Sequence, residues 1–99
     1  MIKLTDKIKE KIYIVGPVSG IENWREPFVR AKKNLEEAGF IVLSPLDYPD
    51  GLTQREYMML SVQNVFIANK LYTLPGSRYS KGATAEIALA KSIGTEILY

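Results

Sequence analysis

The chain contains no cysteine and no histidine. Without cysteine there are no disulfides and no thiolate chemistry. The two absences together exclude Ser-His and Cys-His nucleophile systems and the common zinc sites. Chemistry is left to carboxylates, hydroxyls, Lys, Arg and backbone dipoles, which moves a carboxylate nucleophile up the list, and no metal or cofactor is expected. The chain is also short of net charge, since 13 Lys and Arg are interleaved with 11 Asp and Glu for a balance of +2. A domain that neutralises a run of phosphates carries a clustered basic face, so polymeric nucleic acid is not an expected partner. Long apolar runs are missing as well. No stretch approaches the roughly 20 residues needed to cross a bilayer, and MIKLTDKIKEK at the start lacks the hydrophobic segment of a signal peptide. The expectation is a cytoplasmic protein with no membrane partner.

What is present is ordinary globular material: 46% of the residues are hydrophobic and 24% charged, so a disordered chain is excluded. The 99 residues suffice for one core. We therefore expect a single domain over 1–99, with 1–10 as a loosely ordered N-terminal extension.

Lys11–Val15 (KIYIV) is an apolar, β-rich run stopped by Gly-Pro and reads as a strand entering the loop GPVSG. In NWREPFVRAKKNLEEAG, Asn23 and Glu26 have capping-box spacing, Pro27 fits a first helical turn and Gly39 a C-terminal cap. Phe28, Ala31, Leu35 and Ala38 recur at helical spacing as its core face. FIVLSP predicts a second strand and YPDGLT a loop. Thr53 with Glu56 opens a second helix that runs through Met59, Val62, Val65 and Phe66 to about Ala68. LYTLPG predicts a third strand and 76–79 a loop; Ser80 or a near neighbour caps a third helix that Gly94 ends, and TEILY is a last strand. The order βαβαβαβ, with strands that are apolar throughout, predicts an α/β domain of three layers: a parallel sheet of four or five strands with helices on both faces. Three loops, GPVSG, SPLDYPDG and LPGSRYSKG, leave strand carboxyl ends, where such sheets hold their ligands.

The third helix carries one carboxylate. Steps of about 100° per residue put Lys81, Thr84, Lys91 and Ser92 on one side and Glu86 opposite them. Its neighbours one turn away are Gly82, Ala83, Leu89 and Ala90, so no cation of the same helix is in register with it. Glu86 is either a partly exposed side chain in water or a carboxylate aimed into the crevice. In the second case the helix N-terminus favours its charge while its small neighbours desolvate it. The expected balance is an ionised, nucleophilic carboxylate.

KIYIVGPVSG, EEAGF-IVLSP, YM near the second helix, LYTLPG and S-K-G-A-x-x-E-x-A-x-A, in that order, resemble a small phage and bacterial family. That family is related to nucleoside 2-deoxyribosyltransferases and 2'-deoxynucleoside 5'-phosphate N-hydrolases, and the resemblance covers nearly the whole chain from Lys11. It implies a flavodoxin-like (Rossmann-like) fold and a deoxynucleotide or deoxynucleoside partner. Glu86 and Tyr13 become the candidate catalytic residues: the Glu attacks C1' of the deoxyribose, and the Tyr borders the sugar or positions the nucleophile, with core packing as its other reading. Gly16, Pro17 and Gly20 match the loop that turns under the sugar or phosphate. Ser80 matches a Ser that contacts the phosphate in the hydrolases, where the transferases have an Asp, and is equally readable as an N-cap; Ser19 is a further candidate donor to a 5'-phosphate, in a loop that lacks the Arg the hydrolases often carry nearby. Gly76, Gly82 and Asp47 complete the expected substrate-binding set with Asn69, which stands where many relatives have an Asp that holds or protonates the base. Ser61 replaces another common Asp, so the leaving base would take its proton from solvent, Asp47 or Asp50. Tyr48, Tyr57 and Tyr79 are candidates for stacking on a base or lining an interface, and a homodimer or higher homo-oligomer is implied.

The function implied is cleavage or transfer at the N-glycosidic bond of a 2'-deoxynucleoside 5'-phosphate or deoxynucleoside, through a covalent deoxyribosyl-enzyme. The alternative, motivated by Asn69 and Ser61, is a nucleotide-binding or sequestering protein of the same fold with little or no catalysis. A flavin-binding or receiver-like module ranks third, because a receiver needs an acidic cluster where this chain has Gly16-Pro17.

Overall fold

A computed structural model describes residues 9–99. Residues 1–8, most of the expected extension, lie outside the described residues. Glu10 already belongs to the sheet edge, its carbonyl accepting from the Ile41 N–H at 3.0 Å.

The elements run β1 (Lys11–Val15), α1 (Arg25–Glu37), β2 (Ile41–Leu43), α2 (Gln54–Ile67), β3 (Lys70–Thr73), α3 (Lys81–Ser92) and β4 (Glu96–Leu98). Short 3-10 turns at Pro45–Asp47 and Ser77–Tyr79 occupy two stretches expected to be plain loop. The four strands pair in parallel in the order β2-β1-β3-β4, the expected flavodoxin-like arrangement. Alternate residues of β1 feed two cores. Ile12 and Ile14 pack with Phe28 and Ala31 of α1, Val42 and Leu74, while Tyr13 and Val15 pack with Val65 of α2, Leu71, and Ala83 and Ala90 of α3. A strand covered on both faces must be apolar throughout, which is why KIYIV does not alternate.

Helix starts separate local from tertiary control. The Thr53–Glu56 capping box forms as its spacing predicts, with reciprocal bonds of 2.8 and 3.2 Å. The Asn23–Glu26 box does not form. Asn23 turns through a positive φ of 56°, Trp24 takes the N-cap with no side-chain bond, and Glu26 instead faces Arg30 one turn on at 3.4 Å. The α1 core face is also shorter than expected: Phe28 and Ala31 are buried and Leu35 half-buried, but Ala38 is exposed as the helix ends. On α2, Val65 reaches the core, whereas Met59 and Phe66 are exposed.

The chain leaves β1 for β2 on one side and returns to β3 on the other. This reversal parts the loops above β1 and β3 and opens a crevice at the carboxyl ends of the strands. Gly16 sits at its base because a Cβ there would lie 2.9 Å from Leu74 Cδ1 and 3.1 Å from Phe28 Cζ. Packing alone therefore requires this glycine.

Candidate active site

The crevice holds a cavity of about 270 Å³, near the lower end of small-molecule sites. Gly16, Val18, Ser19, Trp24 and Arg25 form one wall, Pro45, Tyr48 and Asp50 a second, and Gln54, Tyr57, Met58 and Ser61 of α2 a third. Ser80, Gly82, Ala83 and Glu86 close it from α3. Ser80 caps α3 by accepting from the Ala83 N–H at 3.3 Å, which leaves its own proton free to donate. A Cβ added at Gly82 would meet no protein atom within 4 Å. Space at Gly82 is thus left to the cavity rather than taken up by packing.

Glu86 lies on the buried stripe Ala83–Glu86–Ala90, opposite exposed Lys81, Thr84, Lys91 and Ser92, as the helical spacing predicts. It is 8% exposed, and its Oε2 has no hydrogen-bond partner among the described residues. A buried carboxylate oxygen without a donor strongly disfavours the charged form. Burial raises its pKa from 4.5 to about 7, opposed only in part by the Tyr13 hydroxyl, which lowers it. The expectation of a plainly ionised carboxylate is corrected accordingly. Glu86 is the sixth residue of α3, beyond the first turn in which a helix terminus exerts its field, so desolvation prevails.

Tyr13 is fully buried and does not border the cavity; it acts on the site from beneath. Its hydroxyl donates to Ser61 Oγ at 3.2 Å and lies 3.2 Å from Tyr48 Oη, which is itself 3.2 Å from Ser61 Oγ. Burial, and then the neighbouring Glu86, push the Tyr13 phenol well above its ordinary value, so it is a neutral donor at all working pH. Tyr13→Phe is expected to raise the Glu86 midpoint above about 7, because it deletes the one group that opposes burial. Side-chain carboxyl NMR titration checks this.

Of the other expected residues, Gly16, Ser19, Ser80 and Gly82 line the cavity with Glu86. Pro17 and Gly76 lie outside the lining; Gly76 turns at φ 87°, and a Cβ there would come 3.5 Å from Pro17 Cγ. Gly20 turns at φ 74° in an exposed position outside the lining, and Asp47 is exposed on the 3-10 turn, also outside it. Asp50 is the second carboxylate of the cavity and faces Arg25 at 3.6 Å. Asn69 is at the wrong end of the sheet. It precedes β3, and its N–H and Oδ1 pair with the Lys11 carbonyl and N–H, each at 2.8 Å, extending the ladder away from the crevice. Tyr48 and Tyr57 stack at 6.2 Å between centroids and both face the cavity, whereas Tyr79 is 79% exposed outside it. Trp24, Arg25, Gln54 and Met58 were not expected in the site. The one signal for the first two was a Trp-Arg pair, the only tryptophan of the chain, just after the first strand's loop.

No group of three or more metal-ligating side chains occurs among the described residues, and no described helix is long and apolar enough to cross a membrane.

The domain is a three-layer α/β fold with a crevice at the carboxyl ends of its parallel strands. Its backbone matches the solved structure of a 2-desoxiribosyltransferase from Leishmania mexicana with a TM-score of 0.72 at 16% identity. The match covers 90% of this chain and 62% of that one, so this chain spans under two thirds of that enzyme's length. No protein of curated function matches. The chain belongs to the family described as Domain of unknown function (DUF4406), which matches residues 10–99.

Proposed function

We propose that the protein cleaves or exchanges the N-glycosidic bond of a 2'-deoxynucleoside 5'-phosphate or deoxynucleoside, with Glu86 as nucleophile. The observation that carries this reading is a buried carboxylate at the cavity wall with one oxygen unpartnered, in a fold shared with a deoxyribosyltransferase. Glu86 lines the cavity, and the anomeric carbon of a departing deoxyribosyl group is a partner of the positive character that suits its charge. Without a 2'-hydroxyl, C1' more readily takes on oxocarbenium character. Ionised Glu86 bonds to C1' as the C1'–N bond breaks; that electron pair leaves with the base, which takes a proton from solvent. Water then attacks C1', the ester bond breaks, Glu86 recovers its carboxylate and a proton is released. A second base in place of water gives transfer.

The cavity offers the complementary contacts. Trp24 and the stacked Tyr48 and Tyr57 present aromatic faces to a base. Ser19, Ser80 and the N–H groups opening α3 suit a phosphate or sugar hydroxyl. A second reading, nucleotide binding with little turnover, is favoured by Ser61 standing where relatives carry an Asp, and by Asn69 being engaged far from the cavity.

Incubation with the common deoxynucleotides and deoxynucleosides, with and without free bases, should release or exchange base. Calorimetry on the same samples separates the readings: binding of an intact nucleotide with no product supports sequestration, and neither binding nor product removes both.

A further inference from the structure

The proposed chemistry uses Glu86 on α3 and leaves the α2 wall without a task. Gln54, Tyr57, Met58 and Ser61 recur there at spacings of three and four, so they share one face of the helix, and all four line the cavity. That face is polar at both ends and aromatic or apolar between them. A base laid against Tyr57 and Met58 brings its hydrogen-bonding edge to a side chain one helical turn away. At the buried end that side chain is Ser61, which is 7% exposed.

Ser61 belongs to a closed triangle of hydroxyls with Tyr13 and Tyr48, each side 3.2 Å. Asn64, outside the cavity lining, donates from Nδ2 to Tyr48 Oη at 2.8 Å, the shortest contact of the group. Tyr13 has one proton and donates it to Ser61 Oγ. The other two protons can be placed in two ways. In the first, Ser61 donates to Tyr48 and Tyr48 to Tyr13, which closes the triangle and leaves a Ser61 lone pair to accept from the cavity. In the second, Tyr48 donates to Ser61, and the Ser61 proton swings out to donate into the cavity. The first arrangement has one more internal bond but loads Tyr48 Oη with two donors, one of them the short bond from Asn64. The second leaves that oxygen to Asn64 alone. These effects oppose each other, so neither arrangement dominates.

We propose that Ser61 is a specificity-determining residue that meets the edge of the base, and that the triangle lets it act as donor or acceptor, so that the cavity takes both oxo and amino bases. Tyr48 and Asn64 are positioning residues that set the balance between the two. This rests on the reading of the cavity as a deoxynucleotide site; it does not rest on attack by Glu86.

Hypoxanthine and adenine share a ring system but present inverted donors and acceptors at positions 1 and 6. The test is therefore calorimetric binding of 2'-deoxyinosine and 2'-deoxyadenosine 5'-phosphates to Glu86→Gln protein, with product formation by the unsubstituted chain followed in parallel. The two nucleotides should bind within about threefold of each other. Tyr48→Phe keeps the stacking face but removes the acceptor of the Ser61 proton, so Ser61 is left as a donor and the affinity ratio should move by about tenfold. Asn64→Leu frees Tyr48 Oη for Ser61, which closes the triangle, and should move the ratio by about fivefold in the opposite direction. Both shifts should vanish when Ser61→Ala is added, and either variant with that control decides the matter if the other does not fold. Shifts of the same sign, no shift in a folded variant, or a shift that survives Ser61→Ala would overturn the proposal, as would a preference of about a hundredfold before either change. Binding of neither nucleotide would overturn it together with the deoxynucleotide reading. Binding without product would remove only the chemistry, and the predicted shifts would still uphold the role of Ser61.

Discussion

Glu86→Gln is expected to lower turnover of a 2'-deoxynucleotide by at least about a thousandfold while leaving its binding within a few fold. The amide matches the carboxylate in shape and still fills the stripe between Ala83 and Ala90, so the cavity survives. What is lost is the electron pair that bonds to C1'. Glu86→Asp separates charge from position: it keeps a carboxylate but withdraws it by one methylene, enough to lose roughly a hundredfold when reacting atoms must be nearly in contact. In the wild-type protein turnover should rise with pH through about 7, because only ionised Glu86 attacks. Steady-state kinetics beside calorimetric binding checks all three. Full activity in Glu86→Gln would remove Glu86 from the mechanism.

The same substitution should stabilise the fold, and by an amount that depends on pH. Glu86 titrates near 4.5 when exposed and at about 7 when buried, so between these values the folded protein holds a proton that the unfolded chain has released. Stability is therefore lost as pH rises from 4.5, and the loss is complete above about 7. The full difference is on the order of 3 kcal/mol at pH 8, which for a chain of this size is on the order of 10 °C in melting temperature. Gln carries no such penalty. Glu86→Gln should thus melt well above wild type at pH 8 and close to it at pH 4.5, as measured by paired thermal scans. A gap that does not change with pH would mean that Glu86 is not desolvated. A group that destabilises the protein in the state that performs its chemistry is the usual signature of stability exchanged for function.

Short-range signals carried most of the fold. The span of β1, the Thr53–Glu56 box, the turn glycines Gly39 and Gly94 and the Ser80 cap depend on a few adjacent residues, and the sequence shows those residues directly. The place of Glu86 was equally readable, because helical spacing alone opposes it to Lys81, Thr84, Lys91 and Ser92. Failures began where a neighbour distant in sequence decides the outcome. Asn23 adopts a left-handed turn instead of capping, and Trp24 and Arg25 become a cavity wall. Of two nearby aspartates, Asp50 reaches the cavity and Asp47 does not. Asn69 was assigned to the site from its resemblance, but a residue that precedes a parallel strand lies at the amino end of the sheet, opposite every ligand-bearing loop. The charge state of Glu86 needed its burial, which no single helix reveals.

The most direct experiment traps the bond itself. A deoxynucleotide with fluorine on the 2' carbon slows formation and breakdown of the glycosyl-enzyme, because the substituent withdraws charge from the oxocarbenium-like centre. Intact-mass analysis should show one added sugar phosphate per chain, and proteolytic mapping should place it on Glu86, with none on Glu86→Gln. An adduct on another residue, or turnover that persists without any adduct and without Glu86, would contradict nucleophilic attack by this carboxylate.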